Sequence, residues 1–252
     1  MFSRIADQYQ GSTAVVIGAG GIGGEIVRLL MPSVERVVVA DQSEAALAEL
    51  AQEFGSDELL TRTLDVRDSA AVQEFARFVN ASVGTPRFLF YTAGILTIEP
   101  FVETTPQNWE RAVAVNLSGA FYCTKTLAEL MIPQQRGSIL LLGSIAGTKA
   151  RSGSRVNPVY NVTKAGISAF VNATAMQLRP HGIRINCISP GPTSTTMMDV
   201  QPPQVHASIR DIMLDARMNE PAEIAELALF VAAHGRFSGE DVGLGGGAGL
   251  GG

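Results

Sequence analysis

Cysteine is nearly missing from this chain. Cys123 and Cys187 are the only two among 252 residues, far apart and without metal-ligand spacing, so a disulfide scaffold is excluded and a reducing compartment is the simplest expectation. Histidine is as sparse: His181, His206 and His234 stand singly, and no catalytic metal set is expected from them. Runs of lysine or arginine are absent and the formal net charge is -5, which argues against a nucleic-acid partner. No stretch approaches the roughly 18 consecutive apolar residues of a membrane helix. The polar opening MFSRIADQYQGST lacks a signal-peptide core, so a cytoplasmic location away from membranes is expected.

What is present is a rhythm. Aliphatic runs (TAVVIG, RVVVAD, LLTRTLDV, RFLFYTAG, GSILLLGS, IRINCISPG) alternate with longer helical patterns such as SEAALAELAQEF and AAVQEFARFV. That alternation predicts a parallel sheet covered by helices on both faces, a doubly wound α/β architecture of three layers. With no linker, repeat or charge block to divide it, the chain reads as one domain over residues 1–252. The stretch from Pro192 to Pro221 contains several prolines and weak periodicity, and residues 193–219 within it are expected to form a mobile flap over a pocket. The tail over 243–252 is mostly glycine, and only its start is expected to add an edge strand.

In VVIGAGGIGGEI, Gly18, Gly20 and Gly23 match G-x-G-x-x-G between a strand and a helix, with Gly21 and Ile22 inside the turn. Glycine lets backbone N–H groups approach a pyrophosphate at the positive end of the helix. Asp41, closing the second aliphatic run, sits where a carboxylate holds adenosine ribose hydroxyls. It would repel the extra phosphate of NADP, and Gln42 supplies no compensating cation, so NAD is favoured. The plainer alternative is a turn plus a cap for the helix beginning near Ser43.

YNVTK places Tyr160 and Lys164 four apart on one helix face. At about 4 Å and an effective dielectric near 20, an ammonium stabilises a phenolate by roughly 4 kcal/mol, enough to bring a phenol toward neutrality if burial does not take the gain back. Ser144, just past the apolar run SILLLG, would face the same crevice as the nucleotide.

Taken together, the glycine turn, Asp41, LDV (64–66), TAG (92–94), NLSGAF with Asn116, Ser144, YNVTK and SPGPTST (189–195) resemble the single-domain short-chain dehydrogenase/reductase family over nearly the whole chain. The resemblance implies a Rossmann-type fold and hydride transfer between NAD(H) and a secondary alcohol or ketone. In it Tyr160 exchanges the proton, Lys164 lowers its pKa and holds the nicotinamide ribose, Ser144 orients the substrate oxygen, and Asn116 supports a water beside Lys164. Asp65 and Val66 would lie by the adenine, Ala93 and Gly94 would line the cleft, and Pro190, Gly191, Thr193 and Thr195 would hold the nicotinamide end. Ser194 and Thr196 compete with those two threonines. Taken alone, Asn116 reads as an ordinary helix residue and Asp65 as a cap.

Departures from the family pattern are specific. The turn is one residue shorter than T-G-x-x-x-G-x-G, with Ile17 in place of the threonine, which further favours NAD over NADP. Thr92 replaces a usual asparagine and leaves one backbone-stabilising hydrogen bond in question. The Ser144–Tyr160 interval is longer than the family's and carries Lys149, Arg151 and Arg155, either a solvated loop or cations for an acidic substrate group. Gly245 stands where the family has aspartate, so the last strand is expected to be less fixed. Flap residues Met197, Met198, Ile209, Ile212, Met213, Leu214 and Met218 form either a packing face or a cover suited to an apolar or cyclic alcohol. The resemblance implies a homotetramer or homodimer through the helices around Trp109–Leu130 and Asn157–Leu178. The competing readings are a catalytically silent NAD-binding regulatory protein and an isomerase or dehydratase using NAD transiently.

Overall fold

The six aliphatic runs become β1 (Thr13–Ile17), β2 (Arg36–Asp41), β3 (Leu59–Thr63), β4 (Phe88–Tyr91), β5 (Gly137–Leu142) and β6 (Ile183–Pro190), and the start of the glycine-rich tail adds the edge strand β7 (Asp241–Leu244). All pair in parallel, in the order β3-β2-β1-β4-β5-β6-β7. The computed structural model describes residues 2–55, 57–96, 99–148, 158–199 and 203–248. Because the order reverses between β1 and β4, the carboxyl ends of these neighbours splay their connections to opposite sides and leave a crevice.

Helices cover both faces. On one lie α2 (Gly21–Leu30), α3 (Glu44–Phe54) and α11 (Pro221–Ala233), packed on Ala14, Val16, Val37, Val39, Phe88 and Phe90. On the other lie α4 (Ser69–Val83), α6 (Gly119–Met131) and α8 (Pro158–Leu178), packed on Val15, Ile17, Val38, Leu89, Tyr91 and Ile139. Successive strand residues therefore alternate between two cores, which is why the strands read as continuous aliphatic runs rather than as polar alternation. Short side chains set the helix starts: Ser43 accepts from the Ala46 N–H, and Asp68 from those of Ala70 and Ala71. An additional α1 (Phe2–Tyr9) packs Tyr9 onto Phe88 at the amino edge of the sheet, ring centroids 4.4 Å apart. Among the described residues no helix is long and apolar enough to cross a membrane.

Two regions differ from expectation. The pattern around Trp109–Leu130 is not one regular helix: α5 (Pro106–Val113) passes through a π-helical turn, Ala114–Ser118, into α6. The flap contains α9 (Thr196–Asp199) and α10 (Pro203–Arg210), with α7 (Ile145–Thr148) nearby; Pro203 begins α10, where a missing N–H costs nothing. A Thr193–Asn219 bridge closes the base of the flap, and Ile209 and Met213 pack on Ala248 of the tail. The last strand is also better held than the Gly245 substitution suggests. The Leu244 carbonyl accepts from the Gly191 N–H (2.8 Å) and from Asn219 Nδ2 (3.2 Å), so β7 is tied to the end of β6 and to the flap base.

At the glycine turn, a Cβ on Gly23 would overlap the Gly18 carbonyl oxygen and lie 2.6 Å from Thr92 Oγ1, whereas one on Gly20 would meet nothing within 4 Å. Gly23→Ala is therefore expected to destabilise the protein by more than about 2 kcal/mol, because backbone must move. Gly20→Ala should stay within about 1 kcal/mol of wild type. Urea unfolding of the two variants measures the difference, and equal midpoints would contradict the packing described.

Candidate active site at the carboxyl edge of the sheet

The glycine turn follows β1 directly. Gly18 takes a positive φ of 108°, and Thr92, just past β4, donates its hydroxyl to the Ile17 (3.0 Å) and Gly18 (3.2 Å) carbonyls. Thr92 thus supplies the backbone tie that its departure from the family put in question. Asp41 locks the other side: one carboxylate oxygen accepts from the Ala19 N–H and the other from the Ser43 N–H, each at 2.7 Å. The carboxylate thus braces Ser43, the residue that caps the next helix, against the mouth of the glycine turn. Gly20 caps α2 without any side-chain hydrogen bond, leaving the first N–H groups of that helix available to an anion. Gln42 is exposed.

Past β3, Asp65 is held by Arg67, whose Nε and guanidinium bonds span 2.6–3.0 Å and keep its carboxyl below the usual carboxylate range. Val66 turns inward, against the position of Gly119. Ala93 donates its N–H to the Ile17 carbonyl (2.9 Å), and Gly94 follows so closely on the catalytic candidates that a Cβ there would lie 3.3 Å from Asn116 Oδ1 and 3.4 Å from Lys164 Nζ.

Asn116 sits in the π-helical turn, nearly fully buried. Its amide clamps the backbone of Ile95, accepting from the N–H (2.8 Å) and donating to the carbonyl (3.0 Å), and it donates to Thr163 Oγ1 (3.1 Å). Thr163 in turn donates to the Tyr160 carbonyl (2.8 Å), so the π turn is hydrogen-bonded through two side chains to the first turns of α8. The π geometry widens the helix locally and aims this one amide inward, a feature with no signature in residue spacing.

Ser144 is buried just beyond β5, accepts from the Ala146 N–H (3.2 Å) and is hydrogen-bonded to the Tyr160 side chain. Lys164 Nζ lies 5.8 Å from the Tyr160 ring centroid and donates to the Leu142 carbonyl at 2.7 Å. The electrostatics differ from the spacing argument. Burial pushes the Tyr160 phenol up, and the group acting against that rise is the Ser144 hydroxyl rather than the lysine. The ammonium itself is pushed down from 10.5 to about 8 by burial. Spacing correctly anticipated a shared helix face but not that the amine would bond a strand carbonyl.

At the end of β6, Pro190 and Thr193 are buried, Gly191 bonds Leu244, and Thr193 donates to the Gly191 carbonyl (2.9 Å). Thr195 is the hydroxyl residue turned toward the glycine turn, its methyl 3.0 Å from the position of a Cβ on Gly21, which separates it from Ser194 and Thr196. Met198 and Met218 pack with Met213 inside the flap, so most of the methionine set is a packing face and does not form a cover. Lys149, Arg151 and Arg155 lie outside the described residues. Leu142, Thr163 and Ile95 were not singled out in the sequence; two contribute through backbone groups alone, and Thr163 could have been found only as the residue one turn after Tyr160.

A family model described as enoyl-(acyl carrier protein) reductase matches residues 17–248. Galactitol 2-dehydrogenase (L-tagatose-forming) of Cereibacter sphaeroides is similar, 31% identical over 233 residues and 91% of each chain. Momilactone A synthase of Oryza sativa subsp. japonica is 33% identical over 256 residues, 97% of this chain and 92% of its own. The solved structure of gox2181 shares the fold with a TM-score of 0.93 at 26% identity, covering 99% of this chain and 100% of that one.

The buried amine makes a pH-dependent contribution to stability. Its folded pKa of about 8 lies below the ordinary 10.5, so between those values the unfolded chain binds the extra proton and stability rises with pH. The burial penalty of about 3 kcal/mol is fully present below pH 8 and relieved above 10.5. The buried thiols, pushed up to about 12, lower stability over the same range in both wild type and Lys164→Met. In denaturant unfolding from pH 7 to 10.5 the stability of wild type minus that of Lys164→Met should therefore rise by about 3 kcal/mol, and a constant difference would refute it.

Proposed function

The chain belongs to the short-chain dehydrogenase/reductase family, and on that premise we propose that this oxidoreductase of alcohols and ketones uses NAD(H) to interconvert a secondary alcohol and its ketone, with Tyr160 exchanging the proton. The observation that carries the reading is the Ser144–Tyr160 hydrogen bond beside the buried Lys164 amine, at the edge of the sheet where the glycine turn opens. The turn suits a dinucleotide: the side of Gly20 where a side chain would project is empty, and the first N–H groups of α2 have no side-chain cap. Asp41 stands at its mouth and, among the described residues, forms no ion pair with a lysine or arginine, which supports NAD over NADP.

In this reading the nicotinamide, when bound, gives or takes the hydride. Ser144 orients the substrate oxygen, and Tyr160 removes the hydroxyl proton in oxidation or returns it in reduction. Lys164, protonated at neutral pH and fixed by the Leu142 carbonyl, holds positive charge 5.8 Å from the Tyr160 ring centroid, while the Ser144 hydroxyl is the group that favours the ionised phenol. Asn116 holds the Ile95 backbone and the α8 turn that carries Tyr160, and so keeps the proton-exchanging groups in place. The similar galactitol dehydrogenase supports a polyhydroxylated alcohol as substrate. Of the flap residues, Met198, Met213 and Met218 pack together, whereas Met197, Ile212 and Leu214 are exposed, the part of the set that would suit an apolar or cyclic alcohol instead.

Assembly is part of the proposal. Trp109, Phe121, Val162 and Met176 are exposed on α5, α6 and α8, an apolar face that a second copy would cover in a cytoplasmic homodimer or homotetramer. Light scattering after size exclusion should give a mass of two or four chains, and Phe121→Glu should lower it; a wild-type monomer would remove this element.

The catalytic reading is tested by following NADH absorbance with a panel of polyols and cyclic alcohols. Wild type should turn over with NAD in preference to NADP. Tyr160→Phe should lose on the order of 10²–10⁴-fold in kcat while binding NADH as wild type does. NADH binding with no turnover on the whole panel would favour the silent binding protein, and comparable turnover with both cofactors would reject the role given to Asp41.

A further inference from the structure

At the amino edge of the sheet, opposite the crevice, lies a cavity of about 410 Å³. Arg87 precedes β4, Arg136 precedes β5 and Arg184 is second in β6, and all three line it. These strands are neighbours, and Ser138 pairs with both Phe88 and Arg184, so sheet register itself sets the three arginines side by side. Two of the guanidinium groups are seated rigidly. Arg87 lies over the Phe88 ring at 5.0 Å and donates to the Gln8 carbonyl (2.6 Å) and side chain (3.2 Å). Arg184 donates to the carbonyls of Ala232, His234 and Phe237, just past α11.

Among the described residues, none of the three arginines forms an ion pair with an aspartate or glutamate. Burial, Arg136 and Arg184 together push the Arg87 pKa down, a sign that the like charges feel one another. Arg136 is exposed, and among the described residues no carbonyl accepts from its side chain. A second hollow of about 540 Å³ adjoins, sharing Arg87 and Arg136, and its lining includes the Asp7 carboxylate, which forms no ion pair with either. In a chain whose net charge is -5, three guanidinium groups gathered without a carboxylate partner are a local excess of positive charge around a space large enough for a small metabolite.

We propose that this amino-edge cavity, lined by Arg87, Arg136 and Arg184, is a binding site for a small polyvalent oxyanion. A guanidinium presents its N–H groups as a planar fork that matches phosphate and carboxylate oxygens. The bound anion would sit between the exposed Arg136 and the two anchored guanidinium groups, replacing mutual repulsion with charge-assisted hydrogen bonds.

Isothermal titration of the full chain with inorganic phosphate and, separately, with citrate tests this at constant ionic strength maintained with sodium chloride. Saturable binding of one or both is expected, the tighter one identifying a phosphate or a polycarboxylate as the preferred chemistry. Arg136→Ser should weaken binding at least tenfold. Since Arg136 is exposed, its variant should keep the wild-type melting temperature without anion, and Arg184→Gln provides a second, partly buried test. Failure of both anions to saturate wild type would overturn the proposal. So would unchanged affinity in Arg136→Ser, which would put the anion elsewhere, for instance at the glycine turn.

Discussion

A single ammonium taken out of water constrains the carboxyl edge of this sheet. Lys164 is almost fully buried, and an isolated buried charge is among the costliest features a fold can carry. The protein answers with a strand carbonyl: β5 ends at Leu142, whose oxygen accepts from Nζ at 2.7 Å. That one bond fixes how far α8 can slide along the sheet. One turn toward its start, the same helix presents Tyr160 to Ser144, which itself follows β5 by two residues. Tyr160 and Ser144 thus meet at a strand end and a helix start held in register by a buried amine.

The remaining support comes from irregular backbone where regular structure would fail. An α-helical turn at 114–118 would aim its side chains at the usual spacing, whereas the π turn brings Asn116 inward to clamp Ile95 and reach Thr163. At the other side of the crevice, Gly18 and Gly23 approach so closely that no side chain fits between them, and Thr92 bonds both carbonyls of the turn. Both devices hold the backbone rigid beside an opening, and rigidity there is what positions reacting groups within the narrow range chemistry needs.

Much of this was legible in sequence because it depends on composition and local spacing. Six of the strands and their parallel pairing followed from aliphatic runs, and Tyr160 and Lys164 share a helix face because 3.6 residues make a turn. The glycine turn was legible since glycine is required where backbones touch. Less visible were contacts made by backbone atoms, such as the Leu142 carbonyl, for which any residue type would serve. The acidity of Tyr160 was legible only up to a condition: four-residue spacing gives proximity, but burial, which spacing leaves open, raises the phenol, and the hydrogen bond that opposes it comes from Ser144 past β5 rather than from α8. The tail misled in the opposite direction. Glycine richness suggested a loose end, yet Leu244 and Gly246 supply carbonyls to Gly191, Asn219 and Leu214, contacts for which side chains are unnecessary.

A parallel sheet has two chemically unequal edges, and the charges on this one follow from that. At the carboxyl edge helices begin, so free N–H groups favour anions and a crevice forms where strand order reverses. Helices end at the amino edge, and their exposed carbonyls favour cations. Arg184 fits that rule fully, bonding the carbonyls that follow α11, and Arg87 fits it in part through the Gln8 carbonyl near the end of α1. Helix ends therefore account for two of the three arginines at that edge. Arg136 has no carbonyl or carboxylate of its own, and its charge adds to two others already placed for structural reasons; this surplus, rather than the number of arginines, is what leaves the amino edge in want of an anion.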